Sequence, residues 1–480
     1  MNRLFRRDFT MVVAGQIISL FGNAILRFAL PLYLLRETDS SSLFGAVTAC
    51  SFIPLIVFSL LGGVLADRKS KRNIMVVLDF STAAAVLIFE LLLGRISLVP
   101  LMIAALMILY GISGAYQPAV QAAIPLLTPP ELLMKGNAVI NMVSTLSGLL
   151  GPVIGGILFG AFGIVPILLI SAGCFACSAV MEIFINIPEP YRGAAGKKEE
   201  SVQPQQTDRN MQEQAEREGG IRQITETGHR NTQGQAEKEE GGRAEEADCR
   251  NVQKGEPQKN VLQTLASDLA ESFRFIRREK PVLFSVLGVL ALFNLVMSAA
   301  MIVGIPVMVV QILGMSDTAL GFTQGAMGLG GLAGGMLAGA AAQKMRLRKG
   351  FLTLAACAGA TFVMGLALLE AVPQNVGYFV ITAASFGAMC ISTLFSVFLL
   401  TAVQQQTPPR LLGKIMAVIM AVAGCSQPAG QALYGILFEL CADIPWAVLF
   451  GSAAASLAVA LYSKRIFIRL QEECAGDGAV

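Results

Sequence analysis

Residues 128–140 read TPPELLMKGNAVI, and residues 407–419 read TPPRLLGKIMAVI. Nine of the thirteen positions are identical at a constant offset of 279 residues. Carried on without a gap, the same offset lays Gly156-Ile157-Leu158-Phe159 on Gly435-Ile436-Leu437-Phe438. Each copy follows one long apolar run and opens another, so the chain holds the same membrane unit twice, in parallel. A repeated multi-helix half is the build of carriers whose two halves rock about a central site. Most enzyme classes are excluded by that repeat.

Composition agrees. Of 480 residues, 54% are hydrophobic and 14% are charged, where a water-soluble chain carries about 25% charged residues. The nine cysteines lie mostly inside apolar runs, and the Cys174-x-x-Cys177 pair has no second pair and no histidine near it. It reads as core packing rather than a redox or metal motif. Arg3, Arg6 and Arg7 precede an apolar run too long for a signal h-region and without a small-residue cleavage site, so that run is expected to be retained as the first span.

Segments of about 20 or more apolar residues mark membrane helices. They fall near 9–35, 43–66, 73–93, 98–127, 131–161, 163–187, 281–313, 318–342, 350–371, 376–405, 411–440 and 444–468, six on each side of a polar gap. The expected fold is all-α, twelve transmembrane helices in two pseudo-symmetric six-helix bundles. Domain bounds are 1–190, 191–260 and 261–480. Basic residues sort the connections: Arg68, Lys69, Lys71, Arg72, Lys135, Lys344, Arg346, Arg410, Lys414, Lys464 and Arg465 share one side with the N-terminal arginines, while Arg36 and Arg95 lie opposite. By the positive-inside rule both termini and the gap are cytoplasmic, and a plasma-membrane location is expected.

The gap is rich in Glu, Gln, Lys, Arg and Gly and reads as a disordered tether. A short repeat runs through it from Arg209, Arg230 and Arg250, and it holds the only histidine, His229. Residues 261–279 carry apolar positions at helical spacing with Arg274, Arg277 and Arg278 near the end, the pattern of an amphipathic helix on the cytoplasmic membrane surface.

No phosphate-binding loop is present: Gly413-Lys414 lacks the preceding glycine and the following Ser or Thr. With one histidine, in the tether, a serine triad or a zinc site is excluded. No catalytic residue, metal or cofactor is expected, and no nucleic-acid partner; the partners are a small-molecule substrate, protons and the bilayer, and the chain is expected to act as a monomer. Polar stripes on apolar helices are the remaining chemistry. Gln16, Ser19, Asn23 and Arg27 share one face of the first span. Tyr110, Ser113, Gln117 and Gln121 follow on the fourth, Asn294 and Ser298 on the seventh, and Ser385, Ser392 and Ser396 on the tenth. Uncompensated polar groups are costly in hydrocarbon, so such faces point at other helices or at a shared water-filled cavity. Three ionisable residues lie inside spans: Arg27, Asp79 and Glu90. Arg27 and Glu90 match in depth, which suggests a pair, with Glu90 ahead of Asp79 as proton carrier; snorkelling of both to headgroups is the competing reading. For Asp79 that reading is a salt bridge to the basic loop.

At this point the chain resembles the major facilitator superfamily, over all of its length except the tether. Gly63-Val64-Leu65-Ala66-Asp67-Arg68-Lys69-Ser70-Lys71-Arg72 is similar to the superfamily's G-x-L-a-D-R-x-G-R-K loop, with Ser70 where glycine is usual. By resemblance, Gly63, Asp67, Arg68, Lys71 and Arg72 form a conformational latch, the small residue permitting close helix approach. Gly151-Pro152-Val153-Ile154-Gly155-Gly156 resembles the G-P-x-x-G-G of exporter branches and supplies hinge or packing glycines. The stretch from Gln117-Pro118-Ala119 to Asn137, and Phe273-Arg274-Phe275-Ile276-Arg277-Arg278, resemble a macrolide-efflux and enterobactin-exporter-like group. The resemblance implies alternating-access, proton-coupled export of hydrophobic or amphipathic compounds, drug-like or siderophore. Two departures are plain: the fourth span lacks the arginine of L-x-x-x-R-x-x-x-G, and Asn23 stands where this branch usually has Asp. Import of a polar nutrient and scaffolding through the tether are the alternative functions.

Overall fold

The computed structural model describes residues 7–129, 132–187, 281–341, 350–407 and 412–476. The tether and the expected surface helix at 261–279 lie outside the described residues.

The described residues form twelve long helical segments. The first half holds α1 (Arg7–Thr38), α2 (Ser41–Arg68), α3 (Lys71–Leu92), α4 (Leu98–Leu127), α5 (Leu133–Phe162) and α6 (Ile164–Ile183). The second holds α7 (281–312), α8 (Asp317–Ala341), α9 (Gly350–Ala367), α10 (Gln374–Gln406), α11 (Leu412–Leu440) and α12 (Pro445–Gly476). Ten of the twelve are long and apolar enough, by length and composition, to cross a membrane. An α-helix satisfies its own backbone donors and acceptors, which hydrocarbon cannot do for it. Large apolar side chains point outward: Met336 is 71% exposed and Phe379 69%. On a water-soluble protein such surface would be a liability; here it is a lipid-facing coat.

The helix pairings repeat with an offset of six. Helix α2 packs on α4 as α8 packs on α10; α3 packs on α6 as α9 on α12; α1 packs on α5 as α7 on α11. Between the halves, α2 meets α11 and α5 meets α8. The duplicated sequence thus produces a duplicated architecture.

Both crossings between the halves are built on glycine. A Cβ on Gly156 would lie 2.7 Å from the Asp317 carbonyl and 3.0 Å from Gly321 Cα, and a Cβ on Gly435 would lie 2.6 Å from the Ser41 carbonyl and 3.0 Å from Gly45 Cα. Gly156 and Gly435 are equivalent positions of the sequence repeat. Backbones approach this closely only where both helices present small residues.

Helix α7 is interrupted twice by π-helical turns, Asn294–Ser298 and Val307–Ile312. Such bulges leave a backbone carbonyl free of the regular ladder and recur at functional sites. The first one packs against α11.

Candidate central cavity

At one end the halves are tied by polar contacts. Arg36 Nε donates to Asp317 Oδ1 at 2.9 Å, the single ion pair among the described residues, and Arg36 Nη2 donates to the Met315 carbonyl. The Ser40 hydroxyl and the Ser42 amide donate to the Glu439 carboxylate. Gln311 Nε2 donates to Asp39 Oδ1, and the Thr318 hydroxyl donates to the Gly156 carbonyl. Asp39 adopts a left-handed backbone (φ 47°) in the turn between α1 and α2, a conformation that Asp tolerates better than bulkier residues. Six hydrogen bonds therefore cross between the halves within the last turns of the helices at this end.

Behind that closure, three cavities adjoin. The largest, about 660 Å³, is walled by Asn23, Arg27, Tyr110, Ser113, Gln117 and Gln121 of the first half, with Ser144 and Ser147 from α5 and Gln324 from α8. A second, about 350 Å³, shares Arg27, Tyr110, Pro152 and Gln324 with it and adds Met301, Ile305, Met327, Met389 and Gln431. The third, about 250 Å³, shares Met301, Met327 and Met389 with the second and is lined by Phe293, Ser298, Thr361, Ser392 and Gln427. The shared residues set the three side by side, the first two walled by both halves and the third by the second half. The first half supplies most of the polar residues of the largest cavity, together with Phe28, Leu32, Phe44 and Phe52 in the second; the second-half wall is largely apolar and rich in methionine, a side chain whose flexible thioether fits many shapes.

Arg27 is exposed into this space, with its guanidinium carbon 4.0 Å above the centre of the Tyr110 ring. An arginine in mid-helix costs about 2.5–3.5 kcal/mol in hydrocarbon. Hydration in the cavity and the aromatic face, worth about 0.5–2 kcal/mol, offset that cost. The expected Arg27–Glu90 pair is not formed: the guanidinium turns to Tyr110, and Glu90 is half-buried near the end of α3.

Several residues of the stripes lie elsewhere. Gln16 is fully buried and donates to the Tyr116 hydroxyl at 2.6 Å; that hydroxyl donates to Glu182 Oε1 at 2.7 Å. Ser19 donates to Asp79 Oδ1 at 3.1 Å. Asp79 and Glu182 are 2% and 1% exposed, and their second oxygens, Oδ2 and Oε2, have no hydrogen-bond partner. The expected salt bridge from Asp79 to the basic loop gives way to this buried cluster among α1, α3, α4 and α6. Asn294 donates from Nδ2 to the Leu290 carbonyl of its own helix, and Ser385 to the Ile381 carbonyl. Ser396 is exposed one turn beyond Ser392 and lines none of these three cavities.

In the latch segment, the side chains of Asp67 and Arg68 lie outside the described residues. Arg72 Nη1 donates to the Ile185 carbonyl at the end of α6, within its own half, and Lys71 is half-buried. A Cβ on Gly63 would meet nothing within 4 Å; the close approach is one residue earlier, where a Cβ on Gly62 would lie 2.6 Å from Ala115 Cα. On α5, Gly151 abuts Ala24, Gly155 faces Phe28 and Ile25 of α1, and Pro152 lines the cavity.

Periodicity does not single out Glu182, Tyr116, Gln324, Gln431 or the four cavity methionines, Met297, Met301, Met327 and Met389. Gln324 carried a signal, an isolated amide in an otherwise apolar glycine-rich span. The methionines carried none, since methionine in a membrane helix is ordinary.

Comparison with known proteins places this geometry. The chain is 27% identical over 186 residues to macrolide efflux protein A of Streptococcus pyogenes, covering 38% of this chain and 46% of that one. It is 24% identical over 184 residues to the multidrug efflux pump Tap of Mycolicibacterium fortuitum, covering 37% and 45%. The chain thus matches a little under half the length of these curated relatives. A bacterial metal transporter of solved structure superposes with a TM-score of 0.62 at 13% identity, over 98% of this chain and 99% of that one. The sequence profile of the Major Facilitator Superfamily matches residues 12–431, and the chain is therefore a multi-pass membrane protein belonging to that superfamily.

Proposed function

We propose that this chain is a secondary transporter that exports amphipathic small molecules by alternating access, driven by proton influx. One observation carries the reading: a central cavity walled by both halves, with a polar face and an apolar face, lies behind an end sealed by reversible contacts. Five of the six cross-half hydrogen bonds engage an ionised group but lie exposed, where such contacts are worth about 1 kcal/mol or less each, weak enough to break in a transport cycle. The efflux names of the similar proteins support the outward direction. The positive-inside pattern supports an orientation with the sealed end outside and both termini in the cytoplasm, and the proposed location is the plasma membrane. The two halves, 1–190 and 261–480, work as a monomer joined by the tether at 191–260, with Asp67 and its basic neighbours latching the cytoplasmic end.

Asp79 is the proposed proton carrier, in place of Glu90. Two carboxylates buried together without a cation among their described partners are costly unless a proton neutralises one of them, and each retains an unpartnered oxygen. Glu90 lacks the arginine partner that made it the better choice on depth alone.

The test is transport by the purified full chain in proteoliposomes under an imposed pH gradient, alongside drug susceptibility of an efflux-deficient host expressing it. Resistance that a protonophore abolishes, with lower compound accumulation in the host, supports the reading. Accumulation that rises on expression refutes export, and uphill transport indifferent to the protonophore refutes proton coupling.

A further inference from the structure

The charge inventory of the central cavity selects its cargo. Among the described residues that line the three adjoining spaces, Arg27 is the one charged side chain; no Asp or Glu is among them. The remaining polar groups of the first-half wall are amides and hydroxyls, among them Asn23, Ser113, Gln117, Gln121, Ser144 and Ser147, and α8 of the second half adds the Gln324 amide. The acids buried within the first half, Asp79 and Glu182, are bonded to Ser19 and Tyr116, and neither lines the cavity. Arg27 itself is exposed and is held by the Tyr110 ring rather than by an anion, which leaves its fork of donors free for a bidentate acceptor. On the other side, Phe293, Met301, Met327 and Met389 offer an apolar recess.

We propose that the cargo is an anionic amphiphile, whose carboxylate or comparable acidic head binds Arg27 and whose apolar body occupies the methionine recess. A cationic drug is disfavoured there, because it meets a like charge with no compensating carboxylate, and desolvating an unpaired cation is costly. The proposal rests on the reading of this cavity as the transport site and adds the substrate's charge.

The test uses three naphthalene fluorophores that differ only in the head: a carboxylate, its methyl ester and an aminomethyl analogue. Their binding to the purified full chain in nanodiscs is measured by fluorescence at neutral pH. The carboxylate should bind about tenfold more tightly than the amine, the scale of one partly solvated charge contact. Arg27→Lys should keep that order, Arg27→Gln should abolish it, and Arg27→Glu should reverse it. Met389→Ala should weaken all three probes alike. An amine that binds the wild type as tightly as the acid overturns the proposal, as does an unchanged order in Arg27→Glu. The wild-type ranking stands even if a charge-reversed variant fails to fold. The assay has no gradient and no direction: a preserved ranking with no export would sink the export reading alone, and a lost ranking with intact export would sink this proposal alone.

Discussion

Arg36 and Asp317, 281 residues apart, meet at 2.9 Å where the two halves of the chain close on each other. The arginine also donates to the Met315 carbonyl, so one side chain reads both the charge and the backbone at the start of α8. The pair is partly exposed, and its contribution is about 1 kcal/mol or less. That is still a factor of about five in an equilibrium between two shapes.

Asp317→Asn and Arg36→Ala should therefore each shift the population toward an opened end by a few-fold, and the double variant should add little to either. Distances between spin labels at Phe162 and Leu440, exposed on opposite halves at this end, report the shift. Unchanged distance distributions in all three variants would remove the pair from the closure.

Gly156→Leu and Gly435→Leu should both impair closing, because each adds a side chain where even a Cβ would sit within 2.7 Å of a facing carbonyl. The two positions are repeat equivalents, so the defects should match: transport reduced about tenfold or more, with membrane insertion retained. Gly63→Ala, which meets open space, serves as the control and should cost little. A harmless Gly435→Leu beside a crippled Gly156→Leu would refute the equivalence.

Gln117 and Asn294 separate cavity from packing. Gln117→Leu should change the ranking of transported compounds, because it removes an amide from the polar wall. Asn294→Leu should leave the ranking as it is, because that amide is spent on the Leu290 carbonyl. Transport profiles across a common compound panel decide this.

Coupling is tested by neutralising acids. Asp79→Asn should abolish uphill transport while downhill exchange survives, and Glu182→Gln should reduce the pH dependence of the same step. Glu90→Gln should retain most uphill activity. The reverse pattern, with Glu90 essential and Asp79 dispensable, would return proton carriage to the outer end of α3.

Asp67→Asn should cripple transport at equal expression, because the acid is the proposed cytoplasmic latch. Equal rates in the two proteins would retire it.

The all-α membrane fold, the duplicated half and the repeat equivalence of Gly156 and Gly435 were legible in the chain itself. They follow from local quantities, hydrophobic run length and a repeat at constant offset, that any membrane-spanning fold must honour. The polar stripes were legible as faces of single helices, and the fourth-span face did reach the cavity. What no stripe could reveal is which stretch of a face is open. Gln16 and Asn23 lie two turns apart on one side of α1, yet Tyr116 and Glu182 cover the first and the cavity meets the second. Likewise Arg27 and Glu90 matched in depth, but depth is one coordinate of three, and the aromatic face of Tyr110 was nearer. The acid that joins Asp79 comes from α6, about a hundred residues away along the chain. Sequence periodicity determines direction around a helix axis; only tertiary packing decides which neighbour stands in that direction, and hence whether a polar group ends in a sealed hydrogen bond or at a binding site.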